Sequence, residues 1–324
     1  MLVILCSFAA YRCNRGDKKA LCLLGVGTLF CTVALVDLIL QAAVSPERFF
    51  AAQEKEFSFR SPVDLQSIDD DAIVIVGDSC VWGAGVEEEE AFARVLQTVL
   101  ESRGVSTTVH NLGLVGTGLS SYMEVLERVR KKRVVVVCLY INDMPQRQTF
   151  SRKIHEALIG IGRSSVLVRV IADILEQTMF GFDVENYHNS LVRNFDKSDA
   201  SYAARWRLFT SLLDHTIKEA NDESQFPPIL VILPLVTDYS QYPLVEAHHD
   251  IVQFGEGLDC TVIDMLPVFS RRFPRGDQYR AKPNDGHFNA EVHRAVAEVL
   301  ADALAGDLTR ETDSDQKNGE PTSR

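Results

Sequence analysis

Seven cysteines are spread through 324 residues, and no two of them form a Cys-x-x-Cys pair. That is too sparse for a disulfide scaffold, and it supplies neither a structural zinc knuckle nor a thioredoxin-like redox pair. Positive charge is also short: 33 Lys and Arg face 45 Asp and Glu, a net charge of −12. A chain with that balance is unsuited to neutralising phosphates along a nucleic-acid groove, so no nucleic-acid partner is expected. No P-loop (Gly-x-x-x-x-Gly-Lys-Ser/Thr), no His-Glu-x-x-His and no Gly-x-Ser-x-Gly occurs, and the glycines between 113 and 118 do not fit a dinucleotide fingerprint. Neither a metal nor a cofactor is expected. Internal repeats are missing as well, and repeat architectures go with them. Hydrophobic content is not lacking: at 46% it excludes a wholly disordered chain.

The most apolar stretch is Ala20 to Val44, 25 residues with Asp37 as the single charge. At about 1.5 Å per residue such a helix can span the roughly 30 Å hydrocarbon core of a bilayer, whereas a buried helix of a water-soluble protein rarely stays apolar on every face. Arg12, Arg15, Lys18 and Lys19 precede this run, while Glu47 and Arg48 follow it. The positive-inside bias predicts a single-pass anchor with a cytoplasmic N-terminus, residues 1–19, and everything beyond Val44 outside the membrane. Met1 to Tyr11 is apolar but too short to span unaided. The small residues Gln41 to Ser45 leave signal-peptidase cleavage open, although the apolar run exceeds the usual signal core.

After a polar connector over 45–70, apolar runs alternate with helical patterns. Asp71–Gly77 (DAIVIVG), Val105–Asn111, Arg133–Asp143, Pro227–Pro234 and Leu258–Met265 read as strands. Ala91–Arg103, Leu119–Lys132, Tyr202–Ala220 and Asn289–Ala305 read as helices. Strands separated by crossover helices predict an α/β domain over 71–305, with a parallel sheet covered on both faces and its ligand site at the strands' carboxyl ends. Residues 306–324 lack apolar side chains apart from Leu308 and are expected to form a disordered tail.

Four short stretches stand at those carboxyl ends or before the last helix: Gly77-Asp78-Ser79, Asn111 through Gly116 to Gly118, Tyr140-Ile141-Asn142-Asp143, and Pro283-Asn284-Asp285-Gly286-His287. Their order and placement resemble the SGNH (GDSL-type) hydrolase superfamily, with the longer first block GDSCVWGAGV similar to the form common among bacterial members. The resemblance runs from Asp71 to about Leu304. It implies a flavodoxin-like three-layer α/β/α sandwich on a mainly five-stranded parallel sheet. It further implies Ser79 as nucleophile, His287 as its base, and the backbone N–H of Ser79, the backbone N–H of Gly116 and the Asn142 amide as the oxyanion hole. A serine hydroxyl needs such a base, and a carboxylate that holds the imidazole tautomer helps it.

Two positions depart from the family pattern. Tyr140 replaces the usual glycine of the third block, and either narrows the acyl pocket or packs. In the fourth block Asp285 lies two residues before His287, with Asn284 at the commoner spacing of three. Asp285 is assigned as the orienting acid; with Asn284 in that place the chain would run as a Ser-His dyad. Cys80 and His293 read as packing residues, His110 as a residue near the end of the second strand, and Glu87–Glu90 as a solvated run. His248, His249 and Asp250 are too close along one helix to converge on a metal. The insertion over 144–199 either covers the site or packs as a surface excursion. The resemblance implies an esterase or deacylase acting on small-molecule acyl esters, and the expected placement of the domain outside the membrane adds glycan acyl esters as candidate substrates. An O-acyltransferase with the same residues, and a non-catalytic binding module, are the alternatives.

Overall fold

The computed structural model describes residues 57–146 and 184–318. Five strands, β1 (Ile73–Gly77), β2 (Val109–Gly113), β3 (Val134–Tyr140), β4 (Ile229–Leu233) and β5 (Thr261–Asp264), make one sheet. Among the described residues eight α-helices accompany it: α1 (Ser79–Trp82), α2 (Phe92–Ser102), α3 (Leu119–Leu126), α4 (Val184–Asn194), α5 (Tyr202–Asp222), α6 (Val245–Gly255), α7 (Leu266–Arg272) and α8 (Ala290–Asn318). The strand order is β2-β1-β3-β4-β5 and every neighbouring pair is parallel. The chain is therefore an α/β protein, as its alternating pattern implies.

The sheet's order follows from its burial. β1, β3 and β4 are apolar at nearly every position and buried throughout, as strands covered on both faces must be. β2 and β5 carry His110, Asn111, Thr261 and Asp264, are only partly buried, and form the two edges. From β1 the chain goes outward to β2 and then returns past β1 to β3. Right-handed crossovers place the two connections on opposite faces, and α2 packs with α8 while α3 packs with α5. A reversal of this kind is where open parallel sheets form their ligand crevice, here at the carboxyl ends of β1 and β3.

Several boundaries differ from the sequence reading for local reasons. β2 begins at Val109 rather than Val105, because Thr107 Oγ1 donates to the Asp71 carbonyl (2.6 Å) and Gln97 Nε2 to the Thr107 carbonyl (2.7 Å). α3 stops at Leu126, short of Lys132, whose buried ammonium donates to the carbonyls of Ile68 and Asp69 at the foot of the sheet. Leu65 and Ile68 already belong to the core, so the packed body includes part of the stretch read as a connector. α4 and α7 were not anticipated. α8 is helical as far as Asn318, and residues 319–324 of the expected tail lie outside the described residues. The anchor expected over Ala20–Val44, the segment Met1–Tyr11 and the larger part of the insertion lie outside the described residues. Among the described residues no helix is long and apolar enough to cross a membrane.

The carboxyl end of β5 is fastened by a buried relay. The Tyr242 hydroxyl accepts from Leu235 N (3.1 Å) and donates to His248 Nε2 (3.1 Å), while His248 Nδ1 donates to Asp264 Oδ1 (2.8 Å). His248 thus serves packing between α6, β4 and β5. Replacing it with an apolar side chain removes two hydrogen bonds, leaving the Tyr242 hydroxyl with Leu235 N alone and Asp264 Oδ1 with Leu266 N alone. His248→Leu is expected to lower unfolding free energy by about 1–3 kcal/mol, measured as an earlier urea midpoint at unchanged slope.

Candidate active site

β1 ends at Gly77, and Asp78 then caps α1 by accepting from Cys80 N at 2.8 Å. This sharp strand-to-helix turn puts Ser79 on the first residue of a four-residue helix, half-buried at the crevice. α1 lies unusually close to β2. A Cβ added to Gly113 would fall 2.2 Å from Trp82 N, a distance only glycine permits. On the other side Arg60 braces the turn after α1, donating to the carbonyls of Gly83 (2.6 Å) and Val86 (2.7 Å) and lying over the Trp82 ring.

His287 reaches Ser79 from 208 positions away. Its loop is held by Ala281 N donating to the His287 carbonyl (2.9 Å) and Asn289 N donating to the Tyr279 carbonyl (2.9 Å). Phe288, fully buried against Phe269 and Tyr140, pins the backbone next to the histidine. His287 Nε2 stands 2.9 Å from Ser79 Oγ, and Nδ1 stands 2.6 Å from Asp285 Oδ1. Asp285 Oδ1 also accepts from His287 N at 3.0 Å. With Nδ1–H donated to a carboxylate, the neutral ring has a lone pair at Nε2 to accept the serine proton.

The two open positions of the fourth block are separated by this geometry. Asp285 faces the imidazole, while Asn284 Oδ1 accepts from Val184 N at 3.0 Å, at the start of α4. Tyr140 packs: its ring meets Phe288 edge-on, and its hydroxyl approaches the Gly286 carbonyl at 3.4 Å.

At the end of β3, Asn142 Nδ2 donates to Asp78 Oδ2 and to the Tyr187 hydroxyl, each at 3.2 Å. Asp143 beneath it accepts from Tyr122 OH (2.9 Å) and Tyr140 N (3.1 Å). Burial raises the Asp78 carboxyl above its ordinary range, opposed by the Cys80 and Asn142 hydrogen bonds. Burial, reinforced by the nearby charge of Asp78, pushes Asp143 well above it. Gly116 lies on the turn after β2, at the same end of the sheet, with the left-handed backbone (φ +71°) that glycine adopts freely.

The remaining residues fall outside this cluster. Cys80 is buried in the core, and burial pushes its thiol well up, away from the thiolate a nucleophile requires. His293 Nδ1 accepts from Phe92 N at 3.2 Å, and burial lowers its pKa to about 3. His110 is corrected: it is the second residue of β2, pairs with Val74, and has Lys132 and Asp69 as charged neighbours toward the opposite end of the sheet. Glu88–Glu90 form an exposed helical turn. Tyr187 escaped the sequence reading. Its helix, though not the hydroxyl's partner, is marked by Val184, His188, Leu191 and Phe195, which recur at helical spacing and are all buried.

Protein-family models yield no match to this chain, and neither do curated proteins. Among solved structures it is similar to a member of the lipolytic protein G-D-S-L family from Veillonella parvula DSM 2008. That likeness has 15% sequence identity and a TM-score of 0.40, and covers 70% of this chain and 94% of the other.

The raised Asp143 carboxyl has a consequence for stability. A carboxyl whose folded-state pKa lies above its unfolded value favours folding below the unfolded pKa, and that contribution is lost as pH rises through the folded one. Asparagine can still accept from Tyr140 N and donate to the Tyr122 oxygen. Asp143→Asn is therefore expected to gain stability relative to the parent as pH increases from the acid range toward neutrality, read from denaturation midpoints across pH.

Proposed function

We propose that this chain is a serine hydrolase of carboxylic esters that works through an acyl-enzyme on Ser79. The observation carrying the reading is the unbroken hydrogen-bond chain Asp285–His287–Ser79, half-buried at the crevice between β1 and β3. Its supports are the short α1 turn that presents the serine and the arrival of Asn142 from the adjacent strand.

In this mechanism the Ser79 oxygen attacks the ester carbonyl while its proton passes to His287 Nε2. Asp285 stabilises the imidazolium and keeps its orientation. The negative charge that develops on the carbonyl oxygen is taken by the backbone N–H of Ser79, the backbone N–H of Gly116 and one Asn142 amide hydrogen. Collapse of the intermediate breaks the C–O bond, and His287 returns the proton to the departing alcohol. Water then attacks the acyl-serine with His287 again as base, releasing the acid and restoring Ser79. The run Ala20–Val44 adds a location to the proposal: a membrane-anchored enzyme facing away from the cytoplasm, with O-acyl groups of envelope glycans as substrates.

Ser79→Ala is expected to abolish hydrolysis of p-nitrophenyl acetate with the circular dichroism spectrum unchanged; parental rates in that variant overturn the assignment. Asn142→Ala should lower kcat by on the order of 10²–10³, the usual scale for one oxyanion donor. Asp285→Asn should lower it by on the order of 10⁴, whereas Asn284→Ala spares most of the activity. Incubation with an acylated glycan and an acceptor sugar, followed by assay for free acid against new ester, distinguishes hydrolysis from transfer.

A further inference from the structure

A primary amide has two hydrogens to donate, and at Asn142 both are already committed. One goes to Asp78 Oδ2 and the other to the Tyr187 hydroxyl, each at 3.2 Å. Asn142 Oδ1, by contrast, is buried with no hydrogen-bond partner among the described residues. The nitrogen, not the oxygen, is thus turned toward these two acceptors. The reaction proposed above requires one of these hydrogens for the substrate's oxygen, so one contact must give way.

The two contacts are not equivalent. Asp78 is 2% exposed, and its carboxylate has Cys80 N and Asn142 Nδ2 as its hydrogen-bond donors. Withdrawing Asn142 would leave a buried carboxylate under-solvated, which is costly. Tyr187 is half-buried, on a helix from a different part of the chain, and its neutral hydroxyl gives up a hydrogen bond at lower cost than a buried carboxylate does. The Asp78 contact is therefore permanent and the Tyr187 contact exchangeable.

We infer that the Tyr187 hydroxyl oxygen occupies, on Asn142, the place of the substrate's carbonyl oxygen, and that an acyl substrate must displace it to reach Ser79. This inference rests on the proposed function. The moving part is the tyrosine side chain and not α4. The helix is fixed by Val184, His188 and Leu191, all buried, and by Val184 N donating to Asn284 Oδ1. That last bond joins α4 to the residue preceding Asp285, so the helix stays registered to the catalytic loop while the ring swings. Tyr187 is a positioning residue here: it holds the Asn142 amide in its donating orientation when no substrate is bound, and competes with substrate for the same hydrogen.

The test is Tyr187→Phe, which keeps the ring and removes the oxygen. The measurements are the second-order rate of Ser79 labelling by a fluorophosphonate, whose P=O oxygen takes the oxyanion position, and kcat and KM for p-nitrophenyl acetate. Exchange of one hydrogen bond sets the scale. Tyr187→Phe is expected to label on the order of 2- to 10-fold faster than the parent, with the gain for the ester in KM rather than kcat. In an Asn142→Ala background the gain should vanish, because the contested hydrogen is gone. A second readout does not depend on that variant folding: in a crystal structure of the phosphonate adduct, the Tyr187 oxygen should lie beyond hydrogen-bond distance of Asn142 Nδ2. Unchanged or slower labelling of Tyr187→Phe, a gain that persists without Asn142, or an adduct with the contact intact each overturn the inference while leaving Ser79 as nucleophile. Absence of Ser79 labelling in every variant, the parent included, overturns the hydrolase reading and this inference with it.

Discussion

The carboxylate of Asp78 is almost entirely removed from water, and a buried carboxylate must find donors close at hand. Its two oxygens take them from two directions. One accepts Cys80 N–H and so starts α1 at the end of β1; the other accepts the Asn142 amide at the end of β3. A single desolvated group therefore sets both the turn that presents Ser79 and the heading of the amide beside it. The sheet order makes this possible, since β1 and β3 are neighbours although β2 lies between them in sequence. Tyr140, Tyr122 and Asp143 form a second tier beneath, holding the backbone that carries Asn142.

Much of the architecture is legible in the chain because burial on both faces leaves a plain mark. Residues 73–76, 134–137 and 229–233 are continuous β-branched and aliphatic runs, and each lies in a central strand. Edge strands are harder to read. β2 shares its apolar character with the preceding loop, and its start is decided by Gln97, a helix side chain that takes over the loop's hydrogen bonds. The end of α3 is likewise set by Lys132 reaching carbonyls more than sixty positions upstream. Neither tie leaves a local trace.

The site divides in the same manner. Ser79, Asn142 and His287 lie in short stretches that carry little information singly and are recognised by their joint order and placement, and the fold brings Ser79 to hydrogen-bond distance of His287. The choice between Asn284 and Asp285 could not be read from spacing, because it depends on which way a tight loop turns its side chains. Asp285 turns toward the imidazole and Asn284 toward the start of α4. Tyr187 was beyond reach for a different reason. Its helix is marked by apolar periodicity, but nothing in that periodicity says that the hydroxyl between the buried positions meets an amide on another strand.

The long span between Ser79 and His287 also bears on how the molecule is made. Synthesis delivers the serine and its turn early, whereas the imidazole, the carboxylate beside it and the histidine that bonds Phe92 come only with the last segments before and within α8. In a nascent chain Ser79 lacks its hydrogen-bond partner until the loop before α8 is made and α8 docks on α2. On the proposed mechanism, any fragment that stops short of position 287 holds Ser79 without the imidazole that would take its proton.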